Sequence, residues 1–272
     1  MPDPLTPPDP PALPGAPPTL CVTCGAPLTG PFCAQCGQRV RAGRLTLRSV
    51  LADAWQHVVS LDSSLWRTTV GLVRRPAALI RDVLAGRTVR YTGPARYFLL
   101  AVTAAQLAAL AVGDVSEFAG GVAEGFNEGR RSGDASDTLD EGWLAANLER
   151  LWVLAFVGFV PFVTLWSRVL LRRSGLTLAE HAVVHLYLQA LVALGFGLAI
   201  GVNELTYPLI GDWGNVPAVA LLVAPFGLAV WAAPALFGRG RVRSVVGLVA
   251  SLALGFASYA TAFGLFAAWR MA

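Results

Sequence analysis

The sequence predicts an all-α membrane protein, a five-helix transmembrane bundle preceded by a small cysteine-rich module and juxtamembrane amphipathic helices. Three observations predict it. The 272 residues are 55% hydrophobic and only 14% charged, too apolar for an ordinary soluble domain. Five stretches come close to the roughly 20 apolar residues that cross a bilayer. All four cysteines fall within residues 21–36 as two C-x-x-C pairs.

Residues 1–20 contain nine prolines and little that can pack, so they read as a disordered, Pro-rich leader. Asp3 and Asp9 and the lack of an apolar core argue against a secretory signal. In residues 21–40, Cys21, Cys24, Cys33 and Cys36 form two tight pairs, each followed by a glycine, with eight residues between the pairs. Thiolates at this spacing can close a tetrahedron around one structural Zn²⁺, so the segment reads as a zinc ribbon. After each pair the backbone must turn its amides toward the sulfurs, and Gly25 and Gly37 accept that turn. Two disulfides, or four thiols without a metal, are the alternatives.

Residues 44–96 predict interfacial amphipathic helices. Leu47, Val50, Leu51, Ala54, Trp55 and Val58 lie on one helical face after Thr46. A second helix begins near Ser63. A third has Pro76 in its first turn, buries Leu79, Ile80, Val83 and Leu84, and stops at Gly86. None is long enough to span. Arg48, Arg67, Arg74, Arg75 and Arg81 on their polar faces predict contact with anionic headgroups, or a position beneath the bundle.

Residues 97–272 form the bundle, with spans predicted at about 97–113, 151–171, 183–202, 216–237 and 245–269 and an acidic outer loop at 114–150. The chain has no lysine, so its 21 basic residues are all arginine. Eleven lie in residues 37–96 against three acids, whereas residues 114–150 hold nine acids and three arginines. Arg168, Arg172 and Arg173 mark the second connection and Arg239, Arg241 and Arg243 the fourth. The positive-inside rule then places the N-terminus in the cytoplasm and the C-terminus outside. Cysteines on the cytoplasmic side stay reduced, which favours metal over disulfides.

Read together, C-x-x-C-G, F-C-x-x-C-G-Q (Phe32–Gln38), L-D-S-S-L-W-R-T-T (Leu61–Thr69), R-R-P (Arg74–Pro76) and G-R-T-V-R-Y-T-G-P (Gly86–Pro94) form an ordered set. This set resembles a large bacterial family of multi-pass membrane proteins with an N-terminal zinc ribbon, classed as a domain of unknown function. The E-H-x-x-x-H element at Glu180, His181 and His185 is similar to that family's middle region. The resemblance implies the bacterial inner membrane and a cytoplasmic ribbon, and it implies no activity.

Glu180, His181 and His185 form a second polar group at the cytoplasmic start of the third span. Histidines four apart share a helical face and can hold a metal, and His57 is the only other histidine available as a ligand. Interhelical hydrogen bonds, or pairing with Arg172 and Arg173, are the competing reading. No glutamate stands between the histidines, which excludes the H-E-x-x-H protease mechanism. Repeats of small residues at Gly197 and Gly201, and at Gly247, Ser251 and Gly255, suit close helix contact. A P-loop, a dinucleotide fingerprint and a nucleophile elbow are absent. The sequence therefore predicts a binding or regulatory scaffold rather than an enzyme, with membrane lipids and a protein at its cytoplasmic face as partners. A transporter or channel component, and a membrane enzyme using Glu180, His181 and His185, are the alternatives. Arg39, Arg41, Arg44 and Arg48 suit lipid headgroups at least as well as nucleic acid.

Overall fold

The computed structural model describes residues 19–40, 45–47, 50, 63–112, 124, 127–128, 141–211, 215–238 and 240–271. Among them are seven α-helices: α1 Ser63–Arg74, α2 Pro76–Leu84, α3 Pro94–Val112, α4 Glu141–Leu170, α5 Leu178–Ile210, α6 Asn215–Phe237 and α7 Arg241–Met271. A 3₁₀ turn at Arg172–Ser174 links α4 to α5. The extended pairing described is confined to two isolated bridges in the cysteine module, Leu20 with Pro27 and Phe32 with Arg39. Most of the helix expected over residues 46–62, with Arg48 and His57, lies outside the described residues, as do most of the leader and residues 129–140 of the acidic loop.

Among the described residues, four helices are long and apolar enough to cross a membrane: Pro94–Ala111, Leu178–Ile210, Val216–Phe237 and Arg241–Ala262. They mark the chain as a membrane protein. The apolar part of α4 that can be described, Phe156–Leu170, is shorter. The helix itself begins at Glu141, so residues 141–150 are helical rather than the end of a loop.

The central element is α5. It packs against α1, α2, α3, α4 and α6, and 72% of its most apolar 18 residues is buried, against 17% of those in α7. A helix that is apolar all round fits such an enclosed place, because no face has to meet water or lipid. Its start is set locally: the Thr177 side chain accepts from the Glu180 amide while the Glu180 carboxylate accepts from the Thr177 amide at 2.7 Å. This capping box satisfies two of the amides that a helix start leaves unpaired. The expected span of 183–202 lies inside this longer helix.

Helix contacts are closest at small residues. A Cβ on Gly197 would lie 2.8 Å from the Ala105 Cα, and one on Gly255 would lie 2.9 Å from the Val163 Cα. Gly197 thus brings α5 onto α3, and Gly255 brings α7 onto α4, as small-residue packing in membranes requires. A Cβ on Gly201 would meet nothing within 4 Å among the described residues, so that position of the predicted repeat makes no close helix contact there.

Helices α1 and α2 close one end of the bundle. Pro76 at the first turn of α2 ends α1 one residue earlier. Pro76, Leu79, Ile80 and Val83 are buried, and α2 packs on α5 and α6. Of the two placements expected for these helices, the buried face of α2 takes the one beneath the bundle.

Candidate metal centre and its docking loop

The cysteine module is built from two knuckles that repeat with an offset of twelve residues. Cys21 N donates to Ala26 O, Gly25 N to Cys21 O and Leu28 N to Thr19 O; Cys33 N donates to Gln38 O, Gly37 N to Cys33 O and Val40 N to Pro31 O. Each knuckle turns on a glycine with positive φ, 74° at Gly25 and 72° at Gly37, where a side chain would be strained.

The repeat brings the cysteines together crosswise. Cys21 Sγ lies 3.6 Å from Cys36 Sγ and Cys24 Sγ 3.5 Å from Cys33 Sγ, and all four sulfurs lie within 4.8 Å of one another. A tetrahedral ion with metal–sulfur bonds of about 2.3 Å has sulfur–sulfur edges of about 3.8 Å, whereas a disulfide needs about 2.05 Å. The four thiols are free, and their geometry fits one tetrahedral metal ion.

The electrostatics agree with that fit. Backbone amides of Cys24 and Thr23 point at the Cys21 sulfur and hold its thiol down at about 6. Cys36 receives the Gln38 amide, which lowers it, but burial and the three neighbouring sulfurs outweigh this and push it up to about 12. Four thiolates so close cannot all ionise without a cation among them, and a divalent ion supplies that charge.

Sequence reasoning missed the residue that fixes the module to the rest of the chain. Gln38, 1% exposed, inserts into the loop between α2 and α3. Its Oε1 accepts from the Thr88 and Val89 amides, each at 3.1 Å, and from the Thr23 hydroxyl at 3.1 Å. Its Nε2 donates to the Arg39 carbonyl at 2.9 Å and to Thr88 Oγ1 at 3.3 Å. One side chain thereby joins both knuckles to the loop. The signal is present in the sequence, since the glutamine belongs to C-G-Q and the T-V to G-R-T-V-R-Y-T-G-P, but nothing in their spacing shows that they meet.

The same loop is tied to the bundle. Thr92 N donates to Thr68 Oγ1 at 2.9 Å, Thr92 Oγ1 lies 3.1 Å from Ser64 Oγ, and the Tyr187 hydroxyl donates to Thr92 O at 2.6 Å. Thr69 Oγ1 lies 2.9 Å from the Tyr97 hydroxyl, whose ring sits 5.9 Å from that of Tyr187. Serine, threonine and tyrosine from α1, the loop, α3 and α5 thus form one polar knot beneath the module.

Residues 62–105 match a family model described as protein of unknown function (DUF3667). No curated protein and no solved structure matches the chain. The matched stretch contains α1, α2, the docking loop and the start of α3, and the four-cysteine cluster stands just ahead of it. That arrangement fits a domain of unknown function carrying a metal-binding motif.

The second polar group divides. Glu180 belongs to the cap of α5. His181 and His185 are fully buried in the first two turns of that helix. The Ser167 hydroxyl lies 2.8 Å from His181 Nδ1. His181 Nε2, His185 Nδ1 and His185 Nε2 have no hydrogen-bond partner among the described residues. A buried polar atom left so costs on the order of 1–3 kcal/mol. Of the arginines expected at a membrane surface, Arg67, Arg74, Arg75 and Arg81 are exposed.

Proposed function

We propose that the chain is a five-span protein of the bacterial inner membrane whose zinc ribbon forms a rigid cytoplasmic docking face. Cys21, Cys24, Cys33 and Cys36 hold one structural Zn²⁺, the ion that matches sulfur ligation and tetrahedral geometry in a closed site. The observation that carries this reading is the anchoring of Gln38 between the Thr88 and Val89 amides. It makes the ribbon a fixed part of the bundle's end rather than a tethered domain. A partner that engages the ribbon therefore acts on α2, α3 and α5 through the polar knot.

The fifth span is α4, whose 30 residues extend about 45 Å at 1.5 Å per residue. With it the arginine bias puts the ribbon inside and the C-terminus outside. On α1 the exposed Trp66 and Val73 stand beside Arg67 and Arg74, a pairing suited to the anionic membrane surface. Leu20, Val22 and Phe32 are exposed on the ribbon, Phe32 to 57%, and offer apolar contact to a protein. The role is binding, since Glu180, the carboxylate of the enzymatic alternative, is occupied by the helix cap.

Photocrosslinkers at Val22 and Phe32 in native membranes test the reading. A discrete protein adduct is expected from the intact chain, and the same adduct should be lost in a Cys33→Ser background. Adducts to lipid alone, or a protein adduct indifferent to Cys33→Ser, would overturn the docking role. Reporter fusions after Gly133, Arg173, Gly214, Gly240 and Ala272 should read outside, inside, outside, inside, outside. An inside signal at Ala272 rules out five spans.

A further inference from the structure

We infer that His181 and His185 form a second metal site, enclosed within the bundle, for a divalent transition ion that prefers imidazole. Their spacing on α5 places the two Cβ atoms roughly 5–6 Å apart on one face. Both side chains are fully buried. The His181 ring is held from two sides, by Ser167 Oγ at 2.8 Å from Nδ1 and by Phe237, stacked at 5.7 Å between ring centroids.

A ligating histidine characteristically donates its other ring N–H to an oxygen, which sets the tautomer and leaves a lone pair on the ligating nitrogen. In the tautomer that donates Nδ1–H to Ser167, that nitrogen in His181 is Nε2. It has no partner among the described residues, and neither ring nitrogen of His185 has one. The hydroxyl of Thr164 is also buried and unpartnered, and it lies one turn from Ser167 on the same side of α4. Polar side chains from α4 and α5 therefore meet inside the bundle.

Imidazole nitrogens with a neighbouring hydroxyl favour ions of the zinc, cobalt and nickel class over magnesium or calcium, which take oxygen ligands. Two protein nitrogens leave coordination positions to a hydroxyl or water, so the site is of the open kind.

Full-length protein in nanodiscs, equilibrated with Zn²⁺ and freed of loosely held ions, provides the test. About two ions per chain are expected, with nitrogen as well as sulfur neighbours in the zinc X-ray absorption spectrum. The double variant His181→Ala/His185→Ala should fall to about one ion per chain with sulfur neighbours only. Ser167→Ala keeps both imidazoles and should weaken the second ion by about 10–100-fold while leaving the sulfur-bound ion untouched. A wild-type chain with one all-sulfur ion overturns the proposal, as does a nitrogen-bound ion indifferent to Ser167→Ala. The sulfur-bound ion is counted separately, so its absence would defeat the ribbon reading and leave this one standing. If the double variant fails to fold, the wild-type spectrum and Ser167→Ala still decide.

Discussion

Within residues 19–40 the buried side chains are Cys21, Cys33 and Gln38, whereas in α5 every residue from Ala179 to His185 is buried. The module has no apolar core of its own; two sulfurs and an amide occupy the place where one would be. Helix α5 is surrounded by five other helices and is held by dispersion and close packing spread along its length. A short segment without a core concentrates its stability in a few polar or metal-binding atoms. A helix at the centre of a bundle distributes it over many. The two regions should therefore fail differently, abruptly at single atoms in the first and gradually with volume in the second.

The largest expected effect is in the module. Cys24→Ser, or chelation of the metal, should abolish metal binding and unfold residues 19–40, because metal-binding energy of order 10 kcal/mol stands in for a core. The helical circular dichroism of the bundle should persist. Hydrogen exchange at the Cys33 and Gly37 amides reads the result, and protection surviving without metal would break the contrast.

Next come α5 and its partners. Gly197→Val should cost about 1–3 kcal/mol by forcing α5 off Ala105, seen as a lowered thermal midpoint in detergent. Gly201→Ala, four residues on in open space, should be neutral or slightly stabilising because alanine is the better helix former. Equal losses at both positions would show that the packing reading of this face is mistaken.

Gln38→Ala sharpens the comparison because it separates holding the metal from holding the module in place. The metal should stay, and exchange at the Thr88 and Val89 amides should accelerate by an amount equivalent to about 1–2 kcal/mol, since both lose their acceptor. Loss of metal in this variant would mean that docking and metal binding are one event.

The smallest effect is at the membrane surface. Replacing Arg67 or Arg74 by Gln should weaken binding of the full-length protein's exposed end to anionic vesicles by about 1 kcal/mol each. The difference should shrink as salt rises. A loss that ignores salt would point to packing instead.

Much of the fold was legible because it depends on local pattern. Pro76 and the glycine after α2 bounded a short helix whose buried face followed from apolar spacing alone. The ends of α3, α6 and α7 fell close to the apolar limits because a membrane span is set by length and hydropathy. The start of α5 was missed: hydropathy is low where the polar capping box and the two histidines lie, although the backbone is already helical there. The start of α4 was missed for the same reason, since Glu141 and Glu149 look like loop residues to a count of charge.

By itself the sequence determined the four thiols and their turns, the apolar lengths that make this a membrane protein, and the uneven distribution of arginine. These are properties of neighbours along the chain, and composition and short spacings carry them. Only the tertiary structure decided that Gln38 meets Thr88 and Val89 fifty residues away, and that Ser64, Thr68, Thr92, Tyr97 and Tyr187 share one knot. It also decided that His181 meets Ser167 inside the bundle. A polar side chain in a sequence has no fixed partner, because its hydrogen bonds depend on which distant backbone or side-chain group the packing of helices brings within about 3 Å.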